Sequence, residues 1–505
     1  MRRVAALTGL LLGATMFASG VGAFDLRYGT KGLPVSYGNP YVASGSPSVY
    51  TWSAMFDGLA AMDVNGEIEP ALALSWELVN PTTWRFHLRH NVEFSNGEPF
   101  TADAVVTTIA WLKTSDGART VIGAEVRNVT GARKEDDHTV LITTNRPDAI
   151  LPRRMTGVPI IAAKAWTEMG PEEYSHAPAT TGSFMIKDWS GNTGRLILAA
   201  FPKSWRPPKA ARLILVNMPD NPARVQALLS NQIDIAGNVG FDDIDTIEAA
   251  GGVVFSATGW SVQALAFRTE PDRKTPVRDV RFRQALNYAI DKKAIVDTLF
   301  RGRVRVASQP AGVGTTGHDP TVEPYPYDPA KARALLAEAG YGNGVTLTFA
   351  VMIDRTPGDA AIYQTVARQL ADVGVKLNLR QVTLPTWMQN YLAGKWPDDI
   401  DGFVLGWNAA PYNDVARPME IYSCLSPSPV PIFCDRGMSN RLAAASEELD
   451  SAKREARLKA LGREYRDAAP AIFLTETLDL FGVSQKVQGF EVRNRAPAYH
   501  KITLK

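Results

Sequence analysis

Three groupings in this sequence have residue types and spacings that chemistry can use. Gly312, Gly314 and Gly317 form a Gly-x-Gly-x-x-Gly run, the spacing with which a strand-to-helix turn brings backbone N–H groups against a pyrophosphate. Here the run follows Gln309-Pro310-Ala311 and enters His318-Asp319-Pro320. It does not lead from a strand into a helix, so it reads as a loop. His87 and His90 could share a metal only if both rings faced one way, and the strand-like alternation around them places them on opposite faces. Cys424 and Cys434, the only cysteines, lie ten apart in a Pro- and Ser-rich loop. A two-thiolate metal site wants further His or Cys nearby, and the nearest His in sequence is His500. In an exported chain such a pair reads as a disulfide.

No Gly-x-Ser-x-Gly, His-Glu-x-x-His or phosphate-binding Gly-rich Lys-Ser/Thr sequence is present, so a hydrolase would have to use a scattered site without a signature. No catalytic residue, metal or cofactor is expected. A binding protein would retain its ligand and release it unchanged, an enzyme would turn it over, and a chaperone-like protein would hold unfolded chains without saturable affinity for a small ligand.

The elements that must position any site begin after an export segment. Met1, Arg2 and Arg3 precede an apolar stretch, Val4 to Phe17, too short to span a bilayer. Small residues follow, ending in Val21-Gly22-Ala23, so residues 1–23 read as a signal peptide cleaved after Ala23. No cysteine follows the apolar run, which leaves the mature protein free of a lipid anchor. With 45% hydrophobic and 21% charged residues the chain fills more than one core. The 54 Lys and Arg against 52 Asp and Glu suggest neither nucleic acid nor a membrane surface as partner.

Alternation predicts strands from Phe24, through Trp84-Phe86-Leu88, at Gly194–Leu198 and Arg212–Val216, and a short one at Ile233–Ala236. Helices are predicted from Val49 to Leu59, at Pro70–Ala73, from Ala102 to about Leu112 and from Asn221. Further helices follow Asp279 and Asp291, which act as caps. Ile362, Val366, Leu370 and Val373 make an amphipathic helix that stops at Gly374 before a strand. With no internal repeat or heptad, a multi-domain α/β protein remains.

Several segments in order resemble the extracytoplasmic solute-binding proteins that serve dipeptide, oligopeptide and nickel ABC importers, known as bacterial solute-binding protein family 5. The most specific are Trp84–Arg89 followed by Val92–Val105. Arg224–Leu229 with Ile233–Ile235, Val280–Asp291, and Tyr325–Pro329 with Ala334–Leu336 support them. The resemblance implies an α/β, two-lobed periplasmic-binding-protein fold, type II, of the large cluster with an extra subdomain and a two-segment hinge. It places lobe I at residues 24–264 plus 482–505 and lobe II at 265–481. The crossings fall near Val262–Phe267 and Phe473–Phe481. The implied role is capture of a peptide or peptide-like solute by a periplasmic monomer that delivers it to an inner-membrane permease complex. An opine, sugar, amine or metal chelate is the alternative ligand.

Family position points to Trp407, at the end of Phe403–Trp407, and to Trp387 as ligand-covering aromatics, with Asn408 and Tyr412 beside them. Peptide-binding relatives carry an aspartate three residues after the matching Trp, where this chain has Ala410. An unpaired ammonium is costly to bury, so Asp414 would have to replace that acid. Arg355 could fork onto a carboxylate or phosphate. Ser48 and Tyr50, at the start of a helix, complete the expected ligand contacts.

Overall fold

The computed structural model describes residues 24–505 except 44, 46, 190–193, 271–272, 354–357, 394, 411 and 426–431. A ten-stranded and a four-stranded sheet take, in chain order, β1 (Asp25–Thr30), β2 (Ala73–Asn80), β3 (Thr83–Leu88), β4 (Val129–Asp136), β5 (Thr139–Thr144), β6 (Phe184–Asp188), β7 (Arg195–Ala200), β8 (Arg212–Asn217), β9 (Ile235–Gly237), β10 (Val253–Phe267), β11 (Val345–Val351), β12 (Val375–Gln381), β13 (Gly402–Asn408) and β14 (Ala471–Val483). Among the helices are α1 (Ser48–Met55), α2 (Ala102–Leu112), α3 (Asn221–Leu229), α4 (Val280–Tyr288), α5 (Asp359–Ala371) and α6 (Ser451–Ala468).

The large sheet runs β12-β11-β13-β10-β14-β9-β1-β8-β7-β6. β1 is parallel to β8 and β9, and β11 is parallel to β12 and β13. The two parallel groups are joined through the long antiparallel pair β10 and β14. Successive residues of a strand face opposite ways, and this pair uses both faces. Leu265, Phe267, Ile472 and Leu474 enter one core, while Ala264, Ala266, Ala471 and Phe473 enter another. A third core joins Phe86, Leu88, Val140 and Ile142 of the small sheet to Val105 and Ile109 of α2. A fourth gathers Leu26, Tyr28 and Tyr50 with Phe481, Tyr499 and Ile502.

Local signals place most elements. Asp220, Asp279 and Asp291 each accept a backbone N–H in the first turn of the helix they precede, and Gly374 takes φ +89° after α5, as a helix end requires. Two expectations fail. Helix α1 ends at Met55, short of Leu59, because Phe56 is already extended and Gly58 lies where a Cβ would come within 2.2 Å of the Met155 carbonyl oxygen. Pro70–Ala73 is not helical. Pro70 ends a short strand, Ile68–Pro70, paired with Ala60–Met62, and Ala73 begins β2 opposite Leu88. Cross-strand pairing there outweighs the helix preference of Ala and Leu.

Cys424 and Cys434 are joined as a disulfide. The glycine run from Gly312 is a loop between elements. The imidazole of His87 lies 3.8 Å from Glu77 and that of His90 packs on His138, and no metal-ligating group of three or more such side chains occurs among the described residues. Replacing Gly58 by Ala forces the Met155 carbonyl to move. The variant is expected to lose about 1–3 kcal/mol, read as a lower urea midpoint at unchanged slope.

Candidate functional site

Arg224 of α3 is buried, and burial lowers its pKa. Its guanidinium donates to the carbonyls of Met218 (2.6 Å), Pro219 (2.9 Å), Gly237 (3.0 Å) and Asn238 (3.1 Å). One cation thus fixes the loops that leave the C-terminal ends of β8 and β9. Ligands of open α/β sheets collect at such strand ends.

Beside it lies a cavity of about 480 Å³. One wall carries Lys31, Asn221, Arg224 and Asn238, the facing wall Phe300, Val304 and the start of α5 from Gly358, and the floor is Gln263 of β10 with Thr475–Leu480 of β14. Both parallel groups therefore contribute, and the crossing strands run beneath. At this floor the ladder breaks, for Thr258 and Val262 of β10 stand opposite Leu478 and Glu476 of β14, with three residues between them on one strand and one on the other. Trp260 takes a left-handed φ of 44° inside the break. A Cβ on Gly259 would meet the Thr477 hydroxyl at 2.3 Å, so the close approach of the strands requires glycine there.

A second cavity, of about 410 Å³, is lined by Trp52, Phe56, Met62, Trp205, Arg206 and His500 among others, all between residues 40 and 206 or 493 and 500. Burial, then the Arg206 charge, pushes His500 down to about 4.

None of the sequence-predicted contacts among the described residues lines either cavity. Tyr50 comes nearest. It packs on Tyr28 and Phe481, and its hydroxyl lies 3.5 Å from the Asn238 side chain, which does line the larger cavity. Ser48 is buried as the first residue of α1 and makes no capping bond. Arg355 lies outside the described residues, three positions before Gly358. Trp387 packs edge-on against Trp396 and Phe403. Trp407 is fully buried among Tyr422, Tyr465 and Phe473, and its indole nitrogen has no partner among the described residues.

Asn408, Tyr412 and Asp414 belong instead to a buried polar knot. Asn408 accepts from the Ala410 N–H through its side chain and from Arg417 through its carbonyl. Asp414 is 0% exposed, and both its oxygens receive the Arg454 fork, at 2.7 and 3.0 Å. In this conformation it has no oxygen free for a ligand ammonium. Burial alone would raise its pKa, but Arg454 and the Ala416 N–H hold it below the ordinary value. Tyr412 lies between the Arg154 and Arg417 guanidinia.

The knot extends to the small-sheet region. Arg417 forks onto Glu125, Arg127 reaches Glu420 at 3.4 Å, and Arg153 donates to the Gly66 and Tyr412 carbonyls. The cavity residues Lys31, Arg224, Asn238, Gln263, Thr475 and Glu476 were missed from sequence. The one available signal was position, since Lys31 and Asn238 immediately follow strands that could be read.

A sheet crossed twice by the chain, with a cavity over the crossing, defines a two-lobed binding protein. The family model for bacterial extracellular solute-binding proteins, family 5 Middle, matches residues 67–427. The chain belongs to this family, whose members are extracytoplasmic and serve ABC importers. It is 30% identical over 340 residues to heme-binding protein A of Haemophilus influenzae, covering 62% of this chain and 61% of that protein. It is 25% identical over 519 residues to the dipeptide-binding protein of Pseudomonas aeruginosa, covering 96% of this chain and 95% of the relative. The dipeptide-binding protein from Pseudoalteromonas sp. SM9913, in complex with Met-Leu, shares the fold at a TM-score of 0.82 and 20% identity, covering 95% of this chain and all of that one. Among the described residues no helix is long and apolar enough to cross a membrane.

Arg454→Met strips Asp414 of its counter-charge and is expected to cost about 3–5 kcal/mol at pH 7. A carboxylate with a lowered folded pKa stabilises the fold fully above its ordinary value, 3.8 for Asp414, and less as pH falls through the folded value. Parent stability should therefore drop as pH falls below about 4. The deficit of the variant should shrink over the acid range, because an unpaired buried Asp414 takes up a proton readily. Urea titrations of both proteins at a series of pH values check this.

Proposed function

We propose that this protein is exported to the periplasm by residues 1–23, works as a monomer without nucleic-acid partners, and captures a peptide or peptide-like solute in the cavity over β10 and β14. Lobe I is residues 24–264 with 482–505, and lobe II is residues 265–481. The liganded, closed form is what the inner-membrane permease complex recognises. The observation that carries this reading is the cavity itself, walled from both sides of the crossing strands and floored where their ladder breaks. A hinge absorbs backbone rotation at such a place, and at about 480 Å³ the cavity lies within the range of about 300–1,000 Å³ usual for small-ligand sites.

Several observations support a peptide. The relatives include proteins named for dipeptide binding, and a structural neighbour holds Met-Leu. The alternative, a non-peptide solute such as an opine, sugar, amine or metal chelate, is favoured by Ala410 at the position where peptide-binding relatives carry an acid.

Closure needs ligand to bind the closed form better than the open one. A thermal-shift screen of refolded mature protein tests the assignment, since ligand at about 100 times its dissociation constant adds about 2.7 kcal/mol. Di- and tripeptides are expected to raise the melting temperature saturably. A response confined to another solute class would replace the peptide assignment. Mass spectrometry of the exported protein is expected to find Phe24 as its first residue, and retention of residues 1–23 would overturn the processing step.

A further inference from the structure

Glu476 stands at the break in the β10–β14 ladder and lines the cavity between the two sides. Its Oε1 accepts the Val313 N–H at 3.0 Å. Its Oε2 has no hydrogen-bond or ion-pair partner among the described residues. The Gly312 backbone closes on this carboxylate so tightly that a Cβ there would lie 2.8 Å from the carboxyl carbon and 3.0 Å from Oε2. The glycine run at 312–317, which does no dinucleotide work, thus has a local role. Gly312 permits the approach and Val313 supplies the donor, and together they orient a carboxylate with one oxygen held and the other open.

Two further observations bear on the cavity around it. Thr475, the preceding residue, also lines the cavity but faces the opposite way, alongside its partner Gln263. It is 1% exposed, and its hydroxyl has no partner among the described residues. The wall is acidic as well, for Asp220, Asp359, Glu476 and Asp479 line it against Lys31 and Arg224. Asp479 is paired with Arg495, and Arg224 is occupied by backbone carbonyls and the Asn221 side chain. Burial raises the Glu476 pKa, with the Arg305 charge acting the other way. A half-buried carboxylate in that position gains most from an arriving cation.

We propose that Glu476 anchors the ligand by its ammonium group, so that the solute carried is a primary amine. Glu476 then does the work expected of an acid at position 410, from a different strand and the other side of the ladder. The inference rests on the reading of this cavity as the ligand site.

The test uses the full mature protein and two probes, alanyl-phenylalanine and its N-acetyl derivative, titrated calorimetrically into the parent, Glu476→Gln and Asn238→Trp. Glutamine keeps an acceptor for the Val313 N–H, and an unchanged ligand-free melting temperature shows that the fold is intact. The parent is expected to bind the free amine and to lose at least about 30-fold on acetylation, the loss that follows when a desolvated charge pair is broken. Glu476→Gln is expected to lose a similar factor for the free amine and nothing for the acetylated probe, and Asn238→Trp, which fills the cavity, to lose both. Equal affinity of parent and Glu476→Gln for the free amine, with binding abolished in Asn238→Trp, overturns the anchor and leaves the cavity reading standing. Binding that survives Asn238→Trp overturns the cavity reading itself. A parent that binds neither probe, nor free amino acids or diamines, while binding a neutral or anionic solute overturns the amine class.

Discussion

The pairing of β10 with β14 is the interaction on which the rest of the molecule depends. These two strands are the bridge between a parallel group built on β1 and another built on β11, and their residues alternate between two cores. They hold the halves in one sheet, yet their ladder is interrupted at Gly259–Ser261, where the pairing of β10 continues only on the β13 side. A continuous ladder would be a stiff plate. An interrupted one keeps the strands paired on either side and leaves a few residues, among them left-handed Trp260, where the proposed hinge would take up rotation.

The polar knot around Arg417, Glu125, Arg154, Glu420 and Tyr412 acts at the opposite extreme of the same arrangement. It ties the small-sheet region to the segment after β13 through buried charges rather than apolar area. Ion pairs of this kind recover little net stability beyond their own desolvation, but they tolerate one geometry and penalise misalignment. They specify how the parts meet, while the cores supply most of the stability.

What could be read from the sequence was what local chemistry determines. Asp279 and Asp291 cap because their carboxylates reach the next turn, Gly374 ends its helix because it accepts positive φ, and Trp84–Leu88 alternates because one face is buried. Pro70–Ala73 was misread because its strand pairing is made with Ala60–Met62 and Leu88, which composition does not reveal. The family resemblance located the fold and role, but the residues it highlighted, Trp407 and Asp414, are enclosed by partners from α6 and its neighbours. Glu476 had no local signature at all, and Asn238 had only its place after a readable strand. They become neighbours of one cavity only when β14 returns, more than two hundred residues after β9, to pair beside it.

That late return also bears on how the protein is made. Phe481, Phe490, Tyr499 and Ile502 fill the same core as Leu26 and Tyr28, so the first strand emerging from the ribosome has no finished core until the last few residues have been synthesised. Contacts so distant in sequence form slowly, and this core stays unfinished throughout synthesis. If the chain is exported unfolded, as proposed for residues 1–23, such delay is useful, because the topology postpones completion of that core without a separate device to prevent it.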